Sequence, residues 1–130
     1  MVYVIGVDLG ATNLRVAIAD ENGLLVKVSK PTIREGKGID VSRQIITMVN
    51  EILEKTGISI DEIEGIGVGS IGPLDLKRGI IINTPNLPFK EIPIVKPLRR
   101  EFNKPVVLLN DCTTAVVGER YFGYGRGLDN

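Results

Sequence analysis

The sequence predicts an α/β domain built on a five-stranded mixed sheet. Short apolar runs alternate with turns and helical patterns along the 130 residues, in the order β-β-β-α-β-α-β-α. Tight turns join the first three runs, which predicts an antiparallel meander, and each of the last two runs follows a helical pattern, which predicts crossover connections. Helices are therefore expected on the faces of the sheet.

The amino-terminal part of the chain predicts the meander. The nearly continuous apolar run at 2–7 is typical of a buried strand, and residues 14–19 and 24–29 predict its two partners. Residues 8–13 form the turn between the first two strands. The sequence Asp-Glu-Asn-Gly at 20–23 is a strong hairpin signal between the second and the third.

Apolar residues at helical spacing predict the first helix. These residues are Val41, Ile45, Val49, Ile52 and Leu53. Asp40 is expected to be the N-cap and Gly57 to end the helix. Residues 59–62 have the pattern of a short capped turn. The small-residue run at 65–69 then predicts a strand parallel to the first one, with the helix as its crossover.

The second half of the chain contains a long irregular stretch and two further helices. Residues 70–89 are predicted to be irregular, with a short strand at 80–82, and such a stretch in a compact domain is typical of a functional segment. A helix is predicted over 94–102, an apolar strand over 106–109, and a last helix over 112–121.

The composition excludes several classes of chemistry. The chain has no His, which excludes His-based triads and imidazole metal ligands. Cys112 is the only cysteine, which excludes an intrachain disulfide and fits a packed thiol in a reducing compartment. Sixteen Lys and Arg balance sixteen Asp and Glu, so charge gives no case for nucleic acid or an anionic membrane as partner. With no basic region or long apolar run at the start, we expect a cytoplasmic protein.

Asp8 ends an apolar strand, where a carboxylate is costly unless it is paired, hydrogen-bonded or bound to a cation. One interpretation is an Asx turn that forms the bend. The other uses the neighbours of Asp8: Gly10 permits a ligand to approach the backbone closely. Thr12 and Asn13 offer a hydroxyl and an amide. This turn could cradle a polyphosphate while Asp8 orients its Mg²⁺.

Asp111 is a second carboxylate at the end of an apolar strand, and both of its interpretations stay open. It is either a helix N-cap or a general base that takes a proton from an attacking hydroxyl. If the first and last strands are parallel neighbours, Asp8 and Asp111 emerge at the same edge of the sheet. Ligands of open α/β sheets bind at that edge.

Three asparagines can both donate and accept hydrogen bonds, as sugar hydroxyls require. For Asn83 we favour turn formation. Asn86 lies between prolines, in a stiff context that could hold it toward a ligand, and Asn110 precedes Asp111. For Arg15, a position on the surface and a contact with a phosphate are equally good interpretations.

Residues 67–72 match the dinucleotide-binding pattern G-x-G-x-x-G, but the context argues against that function. The fingerprint must open a helix, and here Pro73 follows. A close-packed strand that leads into a substrate loop explains the pattern better. The sequence also contains no GxxxxGK[ST] motif, which excludes a P-loop.

Four segments carry a family resemblance: GVDLGATNLR at 6–15, GSIGPLD at 69–75, TPNLP at 84–88 and LNDCTTAVVGE at 109–119. They resemble motifs of the ROK family of sugar kinases, especially of its ATP-dependent glucokinases. The first two segments resemble the family's first phosphate motif and its G-x-x-G-P-[VL]-D segment. The last two resemble its substrate loop and the segment that carries its catalytic aspartate. The resemblance is to the N-terminal domain of this family. It implies a ribonuclease H-like, actin-like ATPase fold of the actin–hexokinase–Hsp70 superfamily.

The resemblance implies a role for each candidate residue. Asp111 would be the base that takes the proton of the sugar 6-hydroxyl. The sugar contacts would be Asn110, Asn86 and Gly72, and the residues facing the ATP phosphates and Mg²⁺ would be Asp8, Gly10, Thr12 and Asn13. Ala11 stands where the family often has Gly, and Cys112-Thr113-Thr114 where Ala-Asn-Ala is more usual.

The resemblance also implies that residues 1–130 are one domain and that the nucleotide-binding second half is absent. The full-length enzyme would phosphorylate a hexose, first of all glucose, with ATP and Mg²⁺. A homodimer is one possible assembly of it. We expect this chain alone to be inactive. It begins directly at the first strand, without the helix-turn-helix of DNA-binding members, so we expect no repressor function. A non-catalytic sugar-binding module and a kinase for another sugar, such as N-acetylmannosamine or fructose, are the alternatives.

Overall fold

The computed structural model describes residues 2–70, 72–83 and 87–110. Within these ranges the chain forms a five-stranded sheet, a three-stranded sheet and two α-helices. In chain order the elements are β1 (Tyr3–Leu9), β2 (Asn13–Asp20), β3 (Gly23–Pro31), α1 (Gly38–Thr56), a 3₁₀-helix (Ile60–Glu62), β4 (Ile63–Ser70), β5 (Leu74–Asp75), β6 (Ile80–Ile82), β7 (Glu91–Pro93), α2 (Val95–Phe102) and β8 (Val106–Leu109). Neither α-helix of this part of the chain has the length and apolar character needed to cross a membrane.

The five-stranded sheet has the strand order β3-β2-β1-β4-β8. The first three strands form an antiparallel meander, β4 pairs parallel to β1, and β8 pairs parallel to β4. The crossover to β4 contains α1, and the crossover to β8 contains α2. The predicted mixed sheet is therefore confirmed. The last predicted helix, at 112–121, lies outside the described residues.

The side chains on one face of this sheet form part of the hydrophobic core. Side chains alternate between the two faces of a strand, and Ile5, Val7 and Leu9 of β1 are all buried on this one. Their partners extend two apolar rows across the sheet, Ile18–Ile5–Ile66–Val106 and Val16–Val7–Val68–Leu108. The same buried cluster includes the apolar side of α1, namely Val41, Ile45, Met48, Val49 and Ile52.

This core, rather than surface charge, stabilises the fold. Each fully buried Val, Leu or Ile side chain contributes about 1.5–3 kcal/mol. The ion pairs Lys30–Glu51, at 2.9 Å, and Arg78–Glu91, at 3.2 Å, join exposed side chains. Such exposed pairs contribute about 0–1 kcal/mol each.

The stretch at 70–89 is less irregular than the sequence predicts. The expected strand at 80–82 is present as β6, and it pairs antiparallel with both β5 and β7 to form a small second sheet. The prediction of irregular structure was wrong for β5. That strand has only two residues, too few for an alternating pattern to appear in the sequence.

The sequence prediction for the start of α1 was also wrong, while its end is confirmed. The helix begins at Gly38, with Lys37 as the N-cap, and Asp40 lies in the first turn. Asp40 still caps the helix, because its Oδ2 accepts the backbone N–H of Lys37 at 2.8 Å. At the other end Gly57 has a left-handed backbone, and its N–H donates to the Leu53 carbonyl at 2.9 Å.

The first turns of α1 pack directly on the backbone of β7. A Cβ on Gly38 would overlap the carbonyl oxygen of Glu91, so only glycine allows this close approach. One turn later the buried Ser42 donates its hydroxyl to the carbonyl of Pro93. The small second sheet is thereby fixed against α1.

Gly38→Ala is expected to lower the free energy of unfolding by about 1–3 kcal/mol, because the added methyl must push β7 away from α1. Chemical denaturation of the protein measures this change. Asn50→Ala, on the exposed side of the same helix, is the control and should change stability by no more than about 0.5 kcal/mol. Equal denaturation midpoints for Gly38→Ala and the wild type would contradict the close packing of α1 on β7.

Asp40 is expected to make the stability of α1 depend on pH. The Lys37 backbone N–H, with a further contribution from Arg43, holds the pKa of Asp40 below its ordinary value of 3.8. A carboxyl with a lowered folded-state pKa favours folding above its ordinary pKa and loses that contribution as the pH falls further. Asp40→Asn should therefore be less stable than the wild type at about pH 7, and the difference should shrink between about pH 5 and pH 2. Denaturation curves across this range would show a constant difference if the charge of Asp40 were irrelevant.

Candidate functional site

The carboxyl ends of three parallel strands meet at one edge of the five-stranded sheet, called the carboxyl edge below. The pairing register places Asp8 of β1, Gly69 of β4 and Leu109 of β8 in one row across this edge. β4 lies between β1 and β8, so the condition that the first and last strands are direct neighbours was wrong. Two strand spacings, about 10 Å, separate the backbones of Asp8 and Leu109. Ligands of open α/β sheets bind at such an edge.

The turn that follows β1, called turn 10–13 below, is tight and leaves little room for a side chain at Gly10. The N–H of Gly10 donates to the carbonyl of Asn13 at 3.0 Å, and a Cβ on Gly10 would lie 3.1 Å from the same oxygen. Thr12 is exposed in the middle of the turn, and Asn13 begins β2. The predicted cluster of Gly10, Thr12 and Asn13 beside Asp8 is thus present in the structure.

Asp8 faces a cation on the neighbouring strand. Its side chain is 15% exposed, and its Oδ2 lies 3.4 Å from Nη1 of Arg15, the residue opposite it on β2. An Asx turn would need the Gly10 N–H to donate to Asp8, but that N–H donates to Asn13 instead. Arg15 is therefore the partner of Asp8, and the turn-forming interpretation of Asp8 is disfavoured.

The groups around Asp8 fit a Mg²⁺ ion that is held together with phosphate oxygens and water. Mg²⁺ commonly takes one or two carboxylates and leaves its other positions to water and to substrate phosphates. Asp8 supplies one carboxylate, and the exposed Thr12 follows four residues later, in turn 10–13. The ion pair with Arg15 is long and partly exposed, worth about 0–1 kcal/mol, so a divalent cation can replace Arg15 at little cost.

Polar groups from β4, β8 and the segment after β4 come together farther along the carboxyl edge. A Cβ on Gly72 would lie 3.5 Å from Oδ1 of Asn110, so the structure places these two predicted sugar contacts side by side. Gly72 is buried with φ of 70°, and Asn110 is exposed. Ser70, which sequence reasoning missed, is buried at the end of β4, and its Oγ accepts the N–H of Gly72 at 3.4 Å.

Two predicted site residues, Asp111 and Asn86, lie outside the described residues, so their assigned roles stay predictions. Leu109 and Asn110 nevertheless bring the chain to the carboxyl edge immediately before Asp111. Asn83 has φ of 46°, and its N–H donates to the carbonyl of Lys90 at 2.8 Å. The left-handed backbone of Asn83 fits the turn-forming interpretation, which stays a prediction because residues 84–86 lie outside the described part of the chain.

Sequence reasoning also missed Thr32 and Gln44, which support turn 10–13 from outside the motif. Thr32 is buried at the end of β3, and its hydroxyl donates to the carbonyl of Gly10 at 2.7 Å. Gln44 on α1 bonds the chain on either side of Thr32. A Thr after a strand and a Gln on a helix carry no local signal for this function, because their partners are distant in sequence.

The sheet order, turn 10–13 and the polar carboxyl edge define a domain with the actin-like ATPase fold. The chain belongs to the ROK family, whose sequence profile matches residues 4–130.

Relatives of known activity and structure resemble the chain over nearly its whole length. It is 40% identical over 124 residues to a glucokinase of Pyrobaculum calidifontis, covering 95% of this chain and 37% of that one. A glucokinase of Thermotoga maritima is 37% identical over 128 residues, with 97% and 39% covered. The structure of a ROK family glucokinase from Streptomyces griseus in complex with glucose and AMPPNP is 28% identical with a TM-score of 0.72, covering 96% of this chain and 38% of that one. The chain thus spans less than two fifths of the length of either of these curated glucokinases.

Gly72→Ala is expected to destabilise the protein by about 1–2 kcal/mol, because the backbone at this position is left-handed. The new methyl group should also come into van der Waals contact with Oδ1 of Asn110 and thereby shift the resonance of that side chain. Denaturation measures the first effect, and the Asn110 side-chain amide resonance measures the second. Gly23→Ala is the matched control: φ is 121° there and no atom lies within 4 Å of an added Cβ, so this variant should lose stability without shifting the Asn110 resonance. An unchanged Asn110 resonance in Gly72→Ala would contradict the proximity of the two residues.

Proposed function

We propose that the full-length protein carrying this chain phosphorylates a hexose, glucose in the first place, at its 6-hydroxyl with ATP as donor. The main support is the convergence at the carboxyl edge: a turn suited to phosphate follows β1, and amide and hydroxyl groups suited to a sugar follow β4 and β8. The similar glucokinases, one of them holding glucose and AMPPNP, support the same pair of substrates.

The phosphate side of the site consists of turn 10–13 and Asp8. Backbone N–H groups and the Thr12 hydroxyl would bind phosphate oxygens, and the amide of Asn13 would add a further donor. Asp8 would hold Mg²⁺, directly or through a water molecule. The ion neutralises charge on the phosphates when it is bound.

The sugar side of the site consists of Gly72, Asn86 and Asn110, with Asp111 as the base. Neutral amides suit sugar hydroxyls because they donate and accept at once. Asp111 would take the proton of the 6-hydroxyl as its oxygen attacks the γ-phosphorus of ATP. The bond between that phosphorus and the β–γ bridging oxygen breaks, so that ADP leaves and the sugar 6-phosphate remains.

Phosphoryl transfer depends on positioning and on charge stabilisation, which half of a cleft cannot supply in full. The curated relatives are more than twice as long as this chain. We therefore assign residues 1–130 to one N-terminal domain and the rest of the nucleotide site to a second one, and expect negligible turnover from residues 1–130 alone. ATP as the donor implies the cytoplasm as the location, and a homodimer stays a prediction.

Asp111→Asn tests the proposed reaction in the full-length protein. We expect ADP production with glucose to fall by about 10²–10⁴-fold, with glucose affinity by calorimetry within about threefold of wild type, because the amide keeps the size but not the basicity of the carboxylate. Asp61→Asn is the control, since Asp61 is exposed before the amino end of β4 and should leave turnover unchanged.

Three results would contradict parts of the proposal. Near-normal turnover in Asp111→Asn would refute its role as base. A wild-type protein that binds glucose without producing ADP would be a sugar-binding module. Higher kcat/KM for N-acetylmannosamine or fructose than for glucose would change the assigned substrate.

A further inference from the structure

The chain that follows β3 holds turn 10–13 from one side. Residues 32–34, called segment 32–34 below, donate hydrogen bonds to three successive carbonyl oxygens of the turn. The pairs are Thr32 Oγ1 with Gly10 (2.7 Å), Arg34 Nη1 with Ala11 (3.4 Å) and the Thr32 backbone N–H with Thr12 (3.0 Å). Every carbonyl from 10 to 12 is therefore directed toward segment 32–34.

Thr32 makes the strongest of these contacts. The residue is 4% exposed, and its bond to Gly10 is short and joins residues 22 positions apart in the sequence. Arg34 is exposed, and its bond to Ala11 is long. Because water competes less at a buried site, the Thr32 hydroxyl contributes more to the order of the turn than Arg34 does.

Gln44 connects segment 32–34 to the core. Its Oε1 accepts the backbone N–H of Ile33 at 3.1 Å, and its Nε2 donates to the carbonyl of Pro31 at 2.9 Å. Both bonds come from α1, whose neighbouring residues Val41 and Ile45 are fully buried. A continuous set of contacts thus runs from the core through α1 and Thr32 to turn 10–13.

The direction of these carbonyls determines where the turn presents its donors. In a planar trans peptide the C=O of one residue and the N–H of the next point in opposite directions. With the carbonyls of Gly10 and Ala11 bonded to segment 32–34, the N–H groups of Ala11 and Thr12 point to the other side of the turn. Backbone N–H groups presented in this way bind phosphate oxygens.

We propose that Thr32 is a positioning residue for nucleotide binding: by fixing the carbonyls of turn 10–13, it preorganises the N–H groups that receive the phosphates of ATP. This inference rests on the proposed function, because ATP is the ligand of the turn. Without the Thr32 hydroxyl the turn becomes mobile, and binding must then order it at a cost in affinity. Binding of the hexose, on the other side of the carboxyl edge, does not require the turn.

Thr32→Val in the full-length protein removes the hydroxyl and keeps the shape of the side chain. We expect the Kd for MgATP, measured by calorimetry, to rise about five- to tenfold, the effect of one lost hydrogen bond with its acceptor left behind. The Kd for glucose should stay within about twofold, and hydrogen exchange in the peptide covering 9–14 should become faster. Thr32→Ser keeps the hydroxyl and should restore MgATP affinity to within about threefold of wild type.

Thr56→Val is the matched control. Thr56 donates its hydroxyl to the carbonyl of Ile52 at 2.9 Å, near the end of α1 and away from turn 10–13. The same atoms are removed from a comparable bond, so a general loss of stability would appear in this variant too. We expect its MgATP and glucose affinities to equal those of the wild type.

The outcomes separate this inference from the proposed function. If the wild type binds MgATP and phosphorylates glucose while Thr32→Val binds MgATP equally well, the positioning role is overturned. Equal losses of MgATP and glucose affinity in Thr32→Val would overturn it as well, since they indicate a general structural effect. A wild type without MgATP binding or ADP production would overturn the proposed function, and with it ATP as the ligand of the turn.

Discussion

The insertion of β4 between β1 and β8 is the constraint on which the rest of the site depends. Parallel pairing in this register places Asp8, Gly69 and Leu109 in one row. The carboxyl ends of β1, β4 and β8 therefore lie at the same edge of the sheet. Each strand end contributes a different kind of group: a carboxylate and the tight turn 10–13, a buried serine followed by Gly72, and the exposed amide of Asn110. A shift by one residue would turn every side chain of a strand to the other face and separate these groups.

The two faces of the sheet have different roles: one face forms the core that stabilises the fold, and the other carries the candidate site residue Asp8. Ile5, Val7 and Leu9 direct their side chains to the helix-covered face, where the core is formed. Asp8 lies between Val7 and Leu9 and therefore points to the opposite face, away from that core. Its partners in the row are Arg15 and Gly69, so this face has a cation on one side and no side chain on the other. A carboxylate at this position does not disturb the apolar packing.

Turn 10–13 is short and lacks a core of its own, so its order comes from contacts with other parts of the chain. Segment 32–34 satisfies its carbonyls, and Gln44 ties that segment to α1. The helix is in turn fixed by its buried apolar side and by the close approach of Gly38 to β7. Rigid support of this kind is what a binding turn needs, because any freedom left in it must be lost when the ligand binds.

Local patterns in the sequence alone predicted several strands, the first helix and part of the candidate site of this protein. Continuous apolar runs and the hairpin signal at 20–23 specify β1, β2 and β3, and helical spacing from Val41 to Leu53 specifies α1, because each pattern lies within one element. The polar residues of turn 10–13 and the pair Gly72 and Asn110 could also be identified, since glycine and asparagine stand out at the ends of apolar strands. The resemblance to four family motifs added the expectation of a hexose substrate.

Only the tertiary structure decided how these elements meet. In the structure β4 lies between β1 and β8, and α1 begins at Gly38. Thr32 bonds to turn 10–13, and Gln44 bonds to the segment beside that turn. None of these features has a local signature: strand order depends on which surfaces pack together, and Thr32 finds Gly10 only after the meander has formed. Contacts between residues far apart in the sequence follow from the packing of whole elements, which no short pattern encodes.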